Sequence, residues 1–130
     1  MQLVIVRHAQ AAPGDPDELR PLTPAGRGQA RKLGRHLREQ GIDPDAVISS
    51  PLRRARETAA ALGLGDTDVD ERLAPGATPA DFREAAAGRG ETVVVVGHQP
   101  DCGHAVAALS GGPEPPFPPG GHVLLELETA

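Results

Sequence analysis

Apolar residues fall along this chain in two rhythms. Unbroken runs occur at Leu3-Val4-Ile5-Val6 and at residues 93–96, each bounded by chain that turns. Short continuous runs of this kind predict strands buried on both faces, as in a parallel sheet covered by helices. Ala46-Val47-Ile48 predicts a third strand within residues 45–49. A weaker strand is expected near Val69, and the partial alternation over residues 122–127 predicts an edge strand. Between the runs the spacing turns helical. Ala30, Leu33 and Leu37 share a face behind Thr23-Pro24, a hydroxyl N-cap followed by proline, and Gly41 is placed to stop that helix. Ser50-Pro51 repeats the start, opening a helix through Ala55, Ala59 and Leu62 to Gly63. Thr78-Pro79 opens a third, to about Ala87. A fourth runs from Pro100 or Asp101 to Leu109 and halts at Gly111-Gly112. Residues 12–21 and 112–121 are too rich in Pro, Gly and Asp for regular structure. Strand–helix alternation predicts an α/β fold, a three-layer α/β/α sandwich on a mainly parallel, mixed sheet, with residues 1–130 as one domain.

Composition narrows the class. The 130 residues carry a net charge of −5, which argues against a general nucleic-acid binder. A single cysteine, Cys102, excludes an internal disulfide and a Cys-rich zinc site. The chain enters its first strand with no signal-peptide pattern, and no apolar run approaches the ~20 residues of a membrane span, so a cytoplasmic protein without membrane attachment is expected.

Chemistry gathers where the strands end. Arg7-His8 follows the first run, Gly97-His98 ends the second, and Ser50-Pro51-Leu52-Arg53-Arg54 follows the third. In open α/β sheets ligands bind beyond the carboxyl ends of the strands, so these residues converge on one rim. Arginine forks and a helix N-terminus suit phosphate geometry, and a neutral imidazole is a nucleophile that holds phosphorus covalently. Other routes fail on the letters. A cysteine phosphatase needs arginine six positions after its cysteine, where Ala108 stands; no Gly-x-x-x-x-Gly-Lys loop exists; the histidines are too scattered for a metal-dependent hydrolase. Asp15-Pro16-Asp17 has the spacing of an aspartyl-nucleophile pair but follows no strong strand.

Four motifs in order then carry a resemblance. They are Val6-Arg7-His8-Ala9, Arg20-Pro21-Leu22-Thr23-Pro24-Ala25-Gly26, Ser50-Pro51-Leu52-Arg53-Arg54-Ala55-Arg56-Glu57-Thr58 and Val96-Gly97-His98-Gln99-Pro100. The chain resembles the histidine phosphatase (phosphoglycerate mutase-like) superfamily, and most of all its small bacterial phosphohistidine phosphatase branch. The resemblance implies His8 as phosphate-accepting nucleophile, Arg7 and Arg54 as ligands of the phosphoryl oxygens, and His98 as a contact to the transferring group. Arg20 matches a position that reaches the pocket. No cofactor and no metal are implied. Alanine at position 9 departs from the family's usual glycine. The proton donor stays open between Glu71 and Asp101.

Weak provision of an acid itself suits a phosphohistidine substrate, whose imidazole leaves as a neutral ring when its other nitrogen is protonated. The connections between the motifs are too short for a lid, so the expected partner is a phosphorylated protein, with a small phosphorylated substrate as the alternative. Three functions are therefore carried forward: a metal-independent phosphatase acting on protein phosphohistidine, a metabolite phosphatase or mutase of the same superfamily, and a non-catalytic phosphate-binding module. Arg53 and Arg56 are expected to be solvated, His36, His104 and His122 to be surface or packing residues, Cys102 to be inert, and residues 113–119 to form a stiff loop.

Overall fold

In the computed structural model, which describes residues 1–128, strands β1 (Gln2–Arg7), β2 (Ala46–Ser49), β3 (Thr67–Val69), β4 (Thr92–Gly97) and β5 (His122–Glu126) form one sheet. Their order is β3-β2-β4-β1-β5, so the two valine-rich runs lie side by side at its centre. All neighbours are parallel except β5, which joins β1 antiparallel and makes the sheet mixed.

Alternation along the central strands sorts the core into two layers. Leu3, Ile5, Val93 and Val95 face helices α3 (Pro79–Ala86) and α4 (Asp101–Ser110), with Phe82 and Phe117 in the same cluster. Val4, Val6, Val94 and Val96 face helices α1 (Pro24–Glu39) and α2 (Arg53–Ala61), against Leu33, Leu37, Ala55 and Leu62. The three-layer sandwich is the one the apolar rhythm predicts. No helix among the described residues is long and apolar enough to cross a membrane.

Thr23 caps α1 as expected, its hydroxyl accepting the Gly26 N–H at 2.9 Å, and Thr78 closes a capping box with Asp81 on α3. The second helix differs. It starts at Arg53 with Leu52 as an N-cap that supplies no side chain, because Ser50 is already engaged in the turn before it. The two irregular loops each hold something the sequence did not announce. Asp17–Leu19 forms a single 3-10 turn, and Phe117, in the proline-rich segment, is buried in the core.

Candidate active site

The ladder between β1 and β4 builds the site. Val6 pairs with Val96 and Arg7 with Gly97, so the next residues in register are His8 and His98. The His8 amide continues the ladder by donating to the Gly97 carbonyl at 3.0 Å. Both histidines follow the valines that face α1 and α2, and their ring centroids stand 5.2 Å apart. Parallel neighbours lie about 4.8 Å apart, so backbone pairing alone brings the two imidazoles together.

Hydrogen bonding settles which atoms are available. The Ala9 carbonyl accepts from His8 Nδ1 at 2.7 Å; a carbonyl has no proton to give, so Nδ1 carries the hydrogen. In the neutral ring the lone pair is then on Nε2. Burial pushes the His8 pKa down, and the Arg54, Arg7 and Arg20 guanidiniums push it further, against the opposing Ala9 bond. His98 is 4 % exposed and its Nε2 lies 2.8 Å from Ser50 Oγ. Burial first, with the charges of His8 and Arg54 behind it, lowers His98 to about 3. Both rings are neutral near pH 7.

Cations surround this pair. Arg54, in the first turn of α2, is almost wholly buried. Its Nη1 donates to the Asp17 carbonyl at 2.9 Å and its Nη2 to the Asp17 carboxylate at 3.2 Å. Arg7 donates through Nη1 to the Phe117 carbonyl at 2.8 Å, while its buried Nε has no partner. An orphaned buried donor is costly, and an oxyanion in the cleft would satisfy it. Arg20 donates through Nε to the Ala12 carbonyl and through Nη1 to Asp17 Oδ1 at 3.1 Å.

Of the residues singled out by sequence, Arg7, His8, Arg54, His98 and Arg20 therefore come together. The two candidate acids do not join them. Asp101 Oδ2 accepts the amides of Gly76 at 2.8 Å and Ala77 at 3.2 Å, which fastens that loop to the start of α4. Glu71 is exposed in a separate 3-10 turn, Glu71–Leu73. The carboxylate beside the site is instead Asp17, held below the usual range by Arg20 and then by Arg54. Its sequence signal was faint, since only the fold places it against an arginine 37 positions away.

Two further residues do positioning work. Thr58 Oγ1 accepts the buried Ala9 amide at 3.0 Å and donates to the Arg54 carbonyl at 2.8 Å, tying α2 to the turn after His8. Ser50 Oγ accepts the Leu52 amide at 3.2 Å as well as meeting His98. Ala9 needs no unusual backbone, as among the described residues none but glycine has positive φ, and its methyl packs with Leu22 and Ala30. Burial pushes the Cys102 thiol up to about 12, which leaves it inert. His36 and His122 meet edge to face with ring centroids 5.7 Å apart, and exposed His104 lies 3.5 Å from Glu114.

Comparison with known proteins places this geometry. The model of the histidine phosphatase superfamily (branch 1) matches residues 3–77, a span that holds His8 and Arg54 and stops before His98. An uncharacterised protein of Picosynechococcus is 33% identical over 86% of this chain and 74% of that protein. The phosphohistidine phosphatase SixA of Escherichia coli is 31% identical over 90% of this chain and 79% of its own length. Among solved structures, the protein histidine phosphatase SixA complexed with tungstate superposes with a TM-score of 0.83, at 29% identity, over 92% of this chain and 84% of that one.

Proposed function

The chain belongs to the histidine phosphatase superfamily and is a phosphatase, and on that premise we propose that it hydrolyses phosphohistidine on proteins through a covalent phospho-His8 intermediate, without a metal ion. The observation that carries this reading is the His8 ring itself. Its Nδ1 is committed to the Ala9 carbonyl, so the lone pair is on Nε2, in a ring whose centroid stands 5.2 Å from that of neutral His98 and which three guanidiniums surround.

In the first step His8 Nε2 attacks phosphorus. The N–P bond of the substrate breaks and its electron pair returns to the departing imidazole, which leaves neutral because its other nitrogen holds a proton. In the second step water attacks phospho-His8, inorganic phosphate departs, and His8 recovers its lone pair. Arg54 and Arg7 bind the equatorial oxygens, where preorganised positive charge is worth most, and the orphaned Arg7 Nε donates there. That charge stabilisation is what a metal would otherwise supply. The relative solved with tungstate holds a tetrahedral oxyanion, the shape of the group transferred here. Asp101 is engaged by Gly76 and Ala77, and Asp17 is held ionised by Arg20 and Arg54, so neither is set to protonate an alkoxide leaving group, which favours an N–P substrate over a phosphate ester.

The test is a substrate panel run with EDTA: a phosphohistidine protein, phosphoramidate, phosphoserine and a sugar phosphate. Turnover led by the N–P compounds is expected, with an acid-labile, alkali-stable phosphoryl adduct that is absent in His8→Ala. Preference for the esters, or a requirement for added metal, would overturn it.

A further inference from the structure

The thirteen cations of this acidic chain are unevenly placed. Eight lie between residues 24 and 63, beside only four carboxylates: Glu39, Asp43, Asp45 and Glu57. Most of the arginines have partners. Arg20, Arg53, Arg54, Arg72 and Arg89 pair with carboxylates, and Arg7, Arg27, Arg38 and Arg56 donate to backbone carbonyls. Among the described residues Arg31, Lys32, Arg35 and Arg83 pair with nothing; the first three are exposed together on successive turns of α1, while Arg83 stands alone on α3. Like charges at helical spacing repel, so this face is under a strain that an anionic surface would relieve.

The patch is continuous with the site. The first two turns of α1 press on the turn after His8, where Gln29 Oε1 accepts the Gln10 amide at 3.1 Å. A groove of about 350 Å³ then runs between α1 and the proline-rich loop, lined by Gln29, Lys32, Leu33, His36, Pro119 and Gly120. The Gly120 amide at its end donates to the His8 carbonyl at 3.1 Å. At 1.5 Å per residue, Arg31 and Arg35 lie roughly 10 and 16 Å along the helix from its start.

We propose that the α1 face and its groove dock an acidic surface of the protein that carries the phosphohistidine, an inference that rests on the function proposed above. A single-stranded nucleic acid fits less well. It wants exposed aromatic rings to stack on, and both phenylalanines are buried in a chain without Trp or Tyr. Pro119, exposed at the rim of the groove, instead offers apolar contact to side chains.

Two equal-length peptides test it, one with phosphohistidine flanked by Asp and Glu, the other with it flanked by Lys. In a His8→Ala background, which binds without turning over, the acidic peptide is expected to bind about tenfold more tightly at low salt, the gap closing as salt rises. Adding Arg31→Glu, Lys32→Glu and Arg35→Glu should abolish or invert the preference, and the three Gln substitutions should halve it on a logarithmic scale. With His8 intact, both triple variants should turn over phosphoimidazole within about twofold of wild type, since steering acts on the partner and leaves the chemistry alone. Equal affinities for the two peptides, tighter binding of a single-stranded oligonucleotide, or loss of phosphoimidazole turnover in both triple variants would overturn the docking proposal. Failure of the wild type to hydrolyse phosphoimidazole would count against the N–P reading alone, because the affinity comparison does not depend on turnover.

Discussion

At the scale of single residues, Asp17 is the side chain whose removal is most informative. Its carboxylate meets Arg54 Nη2 and Arg20 Nη1, the donors a phosphoryl oxygen would use, and brings a negative charge to a site for anions. Asp17→Asn removes that charge while the backbone carbonyl still holds Arg54 Nη1, so the guanidinium keeps its direction. Inhibition by inorganic phosphate and orthovanadate should therefore strengthen by up to about fivefold, the range expected for an ion pair whose carboxylate is exposed. Weaker inhibition would mean that the carboxylate orients the arginines and does not compete for them. His8 gives a second expectation. A nucleophilic imidazole must be unprotonated, and burial with the surrounding guanidiniums holds His8 below its ordinary 6.5. The acid limb of kcat/KM, which reports the free enzyme, should lie below pH 6.5. A limb at or above that value would contradict the burial of the ring.

At the scale of elements, two glycines of α1 distinguish site from scaffold. A Cβ on Gly26 would stand 2.1 Å from the Gln10 carbonyl oxygen, and one on Gly34 would stand 1.9 Å from that of Leu62. Each would force backbone apart, at a cost of about 1–3 kcal/mol or more. Gly34→Ala separates α1 from α2 and should lower Tm while leaving kcat/KM within about threefold. Gly26→Ala displaces the turn bearing His8 and should also lose at least about tenfold in kcat/KM, since small misplacements of a reacting group are expensive. Thermal melts with steady-state rates on both variants check this. The same turn marks what sequence makes legible. Unbroken apolar runs reveal β1 and β4, and the histidine that follows each one reveals that the strand ends matter. Pattern alone does not give the register, yet it is register that sets His8 opposite His98. Asp17 was illegible for a related reason: it joins the site through a loop that carries no periodicity. Ser50 misled in a milder way. Its cap-then-proline letters fit a helix start, but its hydroxyl serves the Leu52 amide and His98, and the helix begins later.

For the whole molecule, acid is where the site and the fold come into conflict. Three histidines, His8, His98 and His122, have folded-state pKa values below 6.5, His98 lowest at about 3, each lowered chiefly by burial. Between 6.5 and those values the unfolded chain binds more protons than the native one, so stability rises with pH through that window and is lost on acidification. Asp17, Glu57 and Asp70 are also held below their ordinary values, Glu57 by its bonds to the Leu22 amide and Arg53 against the pull of burial, and Asp17 and Asp70 first by arginines. Their contribution is present above about pH 4 and disappears below it. Global charge pulls the other way. The chain is acidic with a pI near 5.5, so lowering the pH from 7 toward that value reduces self-repulsion and on that account alone would stabilise the native state. Buried imidazoles act locally, and desolvation outweighs diffuse charge that salt screens. The melting temperature should therefore fall continuously from pH 6.5 to 4.5 and steepen below 4. His98→Asn removes the most strongly shifted ring while retaining an amide able to meet Ser50, so its loss between pH 6.5 and 4.5 should be visibly shallower. A wild-type melting temperature that stays flat or climbs between pH 6.5 and 5.5, where net charge falls to zero, would show that net charge, and not the buried pair, governs the response of this fold to acid.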